Sequence, residues 1–355
     1  MDDEIQKPLI TTVIPTYRRP KLLRRAINSV LNQTYPHFQV CVYDNASGDE
    51  TADVVAELAQ KDSRVKYHCH SENMGATKNF LYGMEHVETP FFSILSDDDI
   101  LLPEFYKIAM KGFEKHLEAI FSATITLITN EQGSSWNVSG FKWKPGFYQP
   151  PDGLLAMLKY GQPTWTGIIF RKEVIEKVGI MDQEVALQDL DYELRTAARC
   201  PFVVSKELGA IFTSKSKPLA VWEQIRFVYP SWSKMIRNLS EDEKISPAIR
   251  TYVEQVLTEQ LKQIIFRIGL RAIRRKDFEE TYRAIEILHN HYHLKKKAFL
   301  ILTIAKICRY FPPAYYFSVL LHKSRKLFAY IRWRKRNQNL YESHKNILTI
   351  IGEYR

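Results

Sequence analysis

The sequence predicts an α/β protein in which a doubly wound, mostly parallel sheet is followed by an α-helical C-terminal region. Through the first hundred residues, short apolar segments alternate with amphipathic segments, as expected for strands joined by crossover helices. From about residue 219 onward the pattern is helical, and only three prolines follow Pro230. A chain of 355 residues suggests two domains, and we expect them at 1–215 and 216–355.

The expected elements of the first half follow one another closely. Pro15 ends the first strand, since proline cannot donate a sheet hydrogen bond. A Ser-Gly-Asp-Glu capping box at 47–50 would begin the second helix, which ends near residue 60. In chain order we expect a strand at 9–14, a helix at 20–32, a strand at 38–43, this second helix, a strand at 65–69, a helix at 76–87 and a strand at 91–95.

The alternation weakens after Pro103, which suits the first turn of a further helix. We predict a strand-rich segment at 119–128, a loop at 130–151, a strand at 165–171 and a helix at 187–199.

Composition indicates a globular protein whose two halves differ in charge. Apolar residues make up 45% of the chain and charged residues 25%. Residues 1–200 hold 21 Lys/Arg against 27 Asp/Glu, whereas residues 201–355 hold 29 against 13, so the net charge of +10 comes from the second half. The second half is therefore suited to an anionic partner.

The cysteines and the N-terminal residues favour a cytoplasmic protein. Cys41, Cys69, Cys200 and Cys308 show neither paired nor metal-ligand spacing, which favours a reducing compartment. The first residues are polar and acidic, unlike a secretory signal peptide. No apolar run reaches the length of about 18 residues that a spanning helix needs.

The acidic segment at 96–99, Ser-Asp-Asp-Asp, follows the apolar strand at 91–95. Three adjacent acids repel one another unless a cation neutralises them, and carboxylate oxygens suit Mg²⁺ or Mn²⁺. An isolated motif of this kind is also typical of a solvated acidic turn. Its place at the C-terminal end of a parallel strand, where such sheets bind ligands, favours a site.

Three strand ends would meet at that edge of the sheet. They bring together cationic, acidic and hydroxyl groups, the mixture that a nucleoside diphosphate with a divalent cation requires. The sequence contains neither a Gly-x-Gly-x-x-Gly segment after the first strand nor a Walker loop, so a metal ion is the better candidate for holding phosphate. The groups expected there follow the strands at Pro15, Thr16, Tyr17 and Arg19, at Asp44 and Asn45, and at Asp97, Asp98 and Asp99.

These segments resemble the successive motifs of family 2 glycosyltransferases with the GT-A fold, of the type that builds bacterial cell-surface polysaccharides. Five motifs occur in the family's order, over roughly residues 8–213. The matching segments are Val-Ile-Pro-Thr-Tyr-x-Arg-Pro at 13–20, Val-Tyr-Asp-Asn-Ala-Ser-x-Asp-x-Thr at 42–51, Glu-Asn-x-Gly at 72–75 with Asn79, Leu-Ser-Asp-Asp-Asp at 95–99, and a later stretch from Gly167 through Asp182 to Gln188, Asp189, Asp191 and Arg195.

The resemblance implies roles for individual residues. Pro15, Thr16, Tyr17 and Arg19 would line the pocket for the nucleobase and ribose. Asp98 would bind the metal ion, supported by Asp99. Asp189 would be the general base. The further nucleotide-sugar contacts would be Asp44 and Asn45 near the base, Asp97 at the ribose, and Lys78 and Lys215 toward the diphosphate.

Three positions depart from the family's usual pattern. Ser96 stands where many relatives have an aspartate, Gln188 replaces a frequent glutamate before the base, and Lys78 lies near a position where relatives carry an arginine.

The C-terminal region has a basic segment. Residues 287–341 contain 12 Lys/Arg and no acid, and the apolar residues of 317–331 share one helix face. This pattern is typical of a helix lying on an anionic membrane surface. A basic helix packed on its own domain is the alternative, and the absence of a nucleic-acid-binding motif argues against nucleic acid.

The resemblance implies an inverting, metal-dependent hexosyl- or N-acetylhexosaminyltransferase. It would move a sugar from a nucleotide sugar, with a UDP-sugar favoured, to a hydroxyl group of a glycan or lipid-linked acceptor. Trp165 and Thr166 would border the acceptor, although Trp165 could equally belong to the core. Two other functions stay open: a non-catalytic nucleotide- or polyanion-binding module on a degenerate GT-A fold, and a hydrolase of nucleotide sugars.

Overall fold

The computed structural model describes residues 9–130, 136–139, 142–214 and 224–311, together with residues 313, 315, 316, 320 and 328. The strands are β1 (Ile10–Thr16), β2 (Phe38–Asp44), β3 (Val65–Cys69), β4 (Phe91–Ile94), β5 (Ile100–Leu101), β6 (Phe121–Asn130), β7 (Trp136–Ser139), β8 (Gly146–Tyr148), β9 (Ile168–Arg171) and β10 (Phe202–Ser214). The helices are α1 (Pro20–Leu31), α2 (Thr51–Lys61), α3 (Ala76–Glu85), α4 (Phe105–Lys115), α5 (Asp152–Tyr160), α6 (Glu173–Val178), α7 (Gln188–Arg199), α8 (Ile225–Ser240), α9 (Pro247–Arg274), α10 (Phe278–Glu286) and α11 (Lys295–Tyr310).

The ten strands of the described chain form one sheet, in the order β3-β2-β1-β4-β9-β6-β10-β5, with β7 beside β6 and β8 beside β10. The first four strands in this order run parallel, and β10 runs parallel to β6. The other pairs are antiparallel. The predicted α/β class with a helical C-terminal region is confirmed. The antiparallel strands come from 100–171, the part of the sequence where the alternation weakens.

Helices cover both faces of the sheet. Ile10 and Ile14 point to one face, where they join a core formed with residues of α1, α2 and α4. Val13 points to the other face, against α3, in keeping with the two-residue period of a strand. A Cβ atom at Gly83 of α3 would lie 2.4 Å from Val13 Cγ1 and 2.9 Å from Tyr43 Cδ2. Glycine therefore permits α3 to approach the sheet this closely.

Three local predictions are wrong. The segment 130–151, predicted as a loop, contains β7 and β8. The capping box does not form, because Ser47 donates to Asp44 Oδ1 and the N-cap residue Glu50 makes no side-chain cap. The backbone N–H of Thr51 is met instead by Asp49 Oδ1. The predicted strand at 165–171 is divided into a 3₁₀ turn at Trp165–Gly167 and β9. A Cβ atom at Gly167 would lie 2.4 Å from Thr126 Oγ1, so the turn fits against β6 only with glycine there.

The described residues fall into two compact units. One comprises those of 1–216 and 238–250, and the other those of 217–237 and 251–355. Residues 238–250 belong with the first unit, in which Asn238 donates to Asp191 Oδ1 (3.0 Å) and Arg199 to Asp242 Oδ2 (2.6 Å).

The second unit consists of helices. Within the described residues, no helix combines the length and the hydrophobicity needed to cross a membrane. The side chains of Phe299, Ile307 and Tyr310 on α11 are exposed. The amphipathic helix predicted over 317–331 lies largely outside the described residues.

Candidate active site

The ends of the parallel strands surround a cavity of about 390 Å³. Thr16, the last residue of β1, pairs in register with Asp44 at the end of β2. The backbone N–H of Leu95 donates to the carbonyl oxygen of Val13 (3.0 Å), so the acidic segment after β4 begins beside β1. Six of the residues that line this cavity were predicted as site residues: Pro15, Thr16, Tyr17, Arg19, Asn45 and Asp97, with Asp98 as the predicted metal ligand beside them.

Asp97 is held on both oxygens. Thr16 Oγ1 donates to Oδ2 and the Arg19 guanidinium to Oδ1, each over 2.9 Å. Burial nevertheless raises the pKa of Asp97, because the loss of solvent outweighs the opposing effects of Arg19 and Thr16. Asp97 is thus fixed in orientation at the wall of the cavity, close to a cation.

Asp98 also faces the cavity. Its Oδ2 accepts from Arg19 (3.2 Å), so one guanidinium bridges two neighbouring carboxylates. Arg25 donates to the backbone carbonyl of Asp98 and fixes the turn from behind. These contacts leave Asp98 as the acid of the segment best placed to meet a cation in the cavity.

Asp99 points away from this cavity. It is fully buried and accepts from Thr166 Oγ1 (2.6 Å) and from the backbone N–H of Thr213 (2.8 Å). Burial raises the pKa of Asp99 to about 8 despite these two donors. The predicted role of Asp99 as a metal ligand does not fit, because both oxygens are engaged elsewhere. Its contacts join the acidic turn to the 3₁₀ turn and to the end of β10, which agrees with a supporting role.

Asp44 is buried and does not line the cavity. Its Oδ1 accepts from the backbone and hydroxyl of Ser47, and its Oδ2 accepts from Tyr67 (2.6 Å). The contact with a nucleobase expected from the sequence is therefore not supported. Asp44 instead shapes the loop after β2, in which Ala46 has a φ of +58°.

An asparagine cluster forms the adjacent wall. Asn45 donates to Asn73 Oδ1 (2.9 Å) and accepts from the backbone N–H of Met74 (2.9 Å). Asn79 donates to the carbonyl of Tyr43 (2.9 Å). Asn73 and Asn79 belong to the recognised motifs, yet neither was predicted as a site residue. Of the predicted lysines, Lys78 is exposed on α3 and does not line the cavity, and Lys215 lies outside the described residues.

A second cavity of similar size adjoins the first, sharing Phe80 and Ser96 with it. This cavity is lined by the predicted base, Asp189. The two residues predicted to border the acceptor, Trp165 and Thr166, line the same cavity. The other lining residues that prediction missed include Phe80, Gln162 and Phe212, which come from separate segments of the chain.

Asp189 lies in the first turn of α7 and is open to the cavity. Protein atoms surround the carboxyl group on its remaining sides, and this partial removal from bulk water raises its pKa, against two backbone N–H groups that lower it. A carboxylate with a raised pKa accepts a proton more readily than an ordinary one, which suits a general base.

Asp191 occupies a different environment on the same helix. It is fully buried, forms a salt bridge with Arg195 Nε (2.7 Å) and accepts a hydrogen bond from the Asn238 side chain. Arg195 in turn donates to the carbonyls of Val178 and Ile180. Asp191 therefore belongs to a structural network and not to the cavity.

The described residues contain no group of three or more His, Cys, Asp or Glu side chains that could hold a metal ion. Mg²⁺ typically takes one or two protein carboxylates and completes its shell with substrate phosphates and water. Asp98 at the cavity wall fits that arrangement, whereas a metal site built from protein groups alone does not fit.

Comparison with known proteins gives consistent results. Residues 11–179 match the sequence model described as Glycosyl transferase family 2. An uncharacterised glycosyltransferase of Methanocaldococcus jannaschii is 24% identical over 200 residues, which cover 56% of this chain and 68% of that protein. The GalNAc(5)-diNAcBac-PP-undecaprenol beta-1,3-glucosyltransferase of Campylobacter jejuni is 34% identical over 134 residues. That alignment covers 38% of this chain and 43% of the relative, less than half its length.

Solved structures share the fold. S. aureus TarS 1–349 in complex with UDP-GlcNAc superimposes with a TM-score of 0.57 at 16% identity, over 84% of this chain and 91% of that one. The mannosyltransferase PcManGT of Pyrobaculum calidifontis, in complex with GDP-Man and Mn²⁺, gives a TM-score of 0.52 at 14% identity, over 87% and 88%.

Proposed function

Because the chain belongs to glycosyl transferase family 2 through residues 11–179 and has the GT-A fold, we propose that it is an inverting, metal-dependent glycosyltransferase. The donor is a nucleoside-diphosphate sugar, and the acceptor is a hydroxyl group of a glycan or lipid-linked glycan. One observation supports this most directly: the cavity at the strand ends adjoins a second cavity that contains Asp189, with Phe80 and Ser96 in both walls.

The first cavity is assigned to the nucleotide. Asp97, held by Thr16 and Arg19, presents acceptor oxygens to ribose hydroxyls, and the asparagine cluster supplies further polar groups. A UDP-sugar is our first choice of donor, on the family resemblance. A uridine nucleotide occupies TarS, whereas PcManGT binds a guanosine nucleotide on the same fold, so both bases belong in the test.

Asp98 is the residue assigned to a divalent cation, Mg²⁺ or Mn²⁺. When bound, such a cation neutralises charge that develops on the diphosphate. Arg19 contributes positive charge at the same wall, and Asp99 keeps the turn in place through Thr166 and Thr213.

The second cavity is assigned to the acceptor. Asp189 removes the proton of the acceptor hydroxyl while that oxygen forms a bond to the anomeric carbon. The bond from this carbon to the diphosphate breaks, and its electron pair leaves with the nucleoside diphosphate. Since base and nucleotide lie in different cavities, attack from the side opposite the leaving group gives inversion.

A panel of UDP- and GDP-sugars tests the proposal, first without acceptor and then with undecaprenyl-diphosphate-linked glycans. We expect metal-dependent hydrolysis of one donor, abolished by a chelator, and faster donor consumption when a true acceptor is added. Hydrolysis that no acceptor accelerates would favour the nucleotide-sugar hydrolase. Metal-dependent binding without any turnover would favour the non-catalytic module.

The lipid-linked acceptor is suggested by the Campylobacter relative, whose name contains an undecaprenol-linked substrate, and by the surface of α11. Exposed Phe299 and Tyr310 lie among basic residues, and 287–311 contains no acid. Such a surface complements anionic lipid. We therefore place the protein at the cytoplasmic face of a membrane.

Vesicle binding tests this placement with the full chain. Replacing the exposed Lys295, Lys296 and Lys306 by Gln should weaken partitioning onto vesicles with anionic lipid about 100-fold at low salt, since each basic residue contributes roughly 1 kcal/mol. The matched control replaces three exposed lysines of the first unit, Lys111, Lys115 and Lys142. Equal loss in both triple variants would contradict a specific surface on α11.

A further inference from the structure

Glu193 of α7 is a fully buried acid whose two carboxyl oxygens have no hydrogen-bond partner in the described part of the chain. Buried polar groups in folded proteins nearly always have partners. The burial and the missing partners together indicate that Glu193 does something other than stabilise the fold.

The neighbours of Glu193 belong to the second cavity. Asp189 lies one helical turn earlier on the same face of α7. The indole N–H of Trp165 is buried and, like Glu193, has no partner among the described residues. Asp189 and Trp165 both line the cavity. Glu193 therefore lies directly behind two residues that would face the acceptor.

The electrostatic influences on Glu193 come from the same two residues. Burial raises its pKa well above the ordinary value, and the charge of Asp189 raises it further. The Trp165 indole N–H lowers it from nearby, although its geometry falls short of a hydrogen bond to Glu193. Helices α5 and α6, which pack against α7, carry charged groups only at exposed positions, and none of them shifts this pKa. Those groups are Asp152 and Lys159 on α5, and Glu173, Glu176 and Lys177 on α6.

We propose that Glu193 is a positioning residue for Asp189, and that it holds a proton while Asp189 is ionised, so that the two groups carry one negative charge. This inference rests on the proposed role of Asp189 as the base. Two ionised carboxylates one turn apart would repel each other, and the buried Glu193 has no solvent to screen its charge. The protonated group is the one without access to solvent, and the ionised group is the one that faces the acceptor. As a neutral acid, Glu193 has an O–H that can donate toward the Asp189 carboxylate and orient it.

Infrared spectroscopy tests the proton directly and does not require turnover. The difference spectrum between the parent protein and Glu193→Gln at neutral pH should contain the carbonyl stretch of a protonated carboxylic acid. In Asp189→Asn this band should disappear at a lower pH than in the parent, because a neighbouring negative charge is gone. A lost carboxylate band in place of the acid band would overturn the proposal.

Kinetics tests the positioning role. Glu193→Gln keeps a neutral hydrogen-bonding group and should retain kcat within about threefold. Glu193→Leu removes that group and should lower kcat at least about tenfold, because a badly oriented base loses part of its contribution to the rate. The KM for the nucleotide sugar should be unchanged. The acidic limb of its pH–rate profile should move to higher pH, since Asp189 becomes harder to ionise in an apolar surrounding. The exposed Glu176→Gln should match the parent in all respects.

The outcomes distinguish this inference from the proposed function. If Glu193→Gln is as slow as Glu193→Leu, or if Glu193→Leu keeps the parent's kcat and pH profile, Glu193 does not position Asp189. If Asp189→Asn itself transfers sugar normally, the assigned base is wrong, while the infrared result still reports the protonation of Glu193.

Discussion

The two cavities differ in the partners that they give to their acids, although burial raises the pKa of Asp97 in the first as it does for the acids of the second. In the cavity at the strand ends, Asp97 and Asp98 share the Arg19 guanidinium, and Asp97 also receives Thr16. In the second cavity, no cation within the described residues pairs with Asp189 or Glu193, and burial raises the pKa of both. An acid that shares a cation is fixed in orientation and can hold a ligand, whereas an acid without a nearby cation can exchange a proton with the acceptor. The comparison teaches that one sheet edge can separate binding from proton transfer.

The largest expected effect is the loss of sugar transfer when Asp189 is replaced. Asp189→Asn keeps the shape of the side chain but removes the proton acceptor, so sugar transfer should fall at least about 100-fold. Steady-state transfer to a true acceptor measures this. Asp152→Asn is the matched control, because Asp152 is also an exposed acid in the first turn of a helix. If Asp189→Asn transferred sugar at nearly the parent's rate, the second cavity would not hold the base, and the difference proposed between the cavities would be wrong.

Asp191 sharpens the contrast within α7. Asp191→Asn leaves the buried Arg195 guanidinium without its counter-charge and should lower the free energy of unfolding by about 3 kcal/mol, measured by urea denaturation. Activity per folded molecule should remain close to that of the parent. The exposed ion pair of Glu173 and Lys177 has the same spacing, and Glu173→Gln should cost only about 0.3 kcal/mol. Similar losses in the two variants would show that the Asp191 pair is not a structural anchor.

Asp98 tests the other cavity. Asp98→Asn removes the charge assigned to the cation, and nucleotide affinity in the presence of Mn²⁺ should fall about tenfold, as one lost charged contact costs roughly 1.5 kcal/mol. Calorimetry with and without Mn²⁺ measures the change. Asp53→Asn, an exposed acid on α2, serves as the control. Parent-like, Mn²⁺-dependent binding by Asp98→Asn would place the cation elsewhere.

Sequence alone could predict the first cavity better than the second. Thr16, Arg19, Asn45 and Asp97 follow strands in short motifs, and parallel pairing brings strand ends together. Through β4 the predicted strands and helices are present, and the exception there arises where a side-chain contact intervenes. Ser47, for example, bonds Asp44 instead of capping α2.

The second cavity depends on tertiary packing. Phe80, Gln162 and Phe212 are far apart in sequence, and nothing in their local pattern places them together. The burial of Glu193 could not be predicted either, because an acid within an amphipathic helix is usually solvated. Asp44 shows the reverse situation: its motif suggests a nucleobase contact, whereas the fold engages both of its oxygens internally, so that contact stays a prediction.

The most direct test of the division between the cavities measures nucleotide binding and sugar transfer on the same preparations of Asp189→Asn and Asp98→Asn. We predict that Asp189→Asn binds the nucleotide sugar with the parent's affinity while its transfer rate falls at least about 100-fold. Asp98→Asn should bind it about tenfold more weakly in the presence of Mn²⁺. Loss of nucleotide affinity in Asp189→Asn as large as that in Asp98→Asn would contradict separate sites for binding and proton transfer.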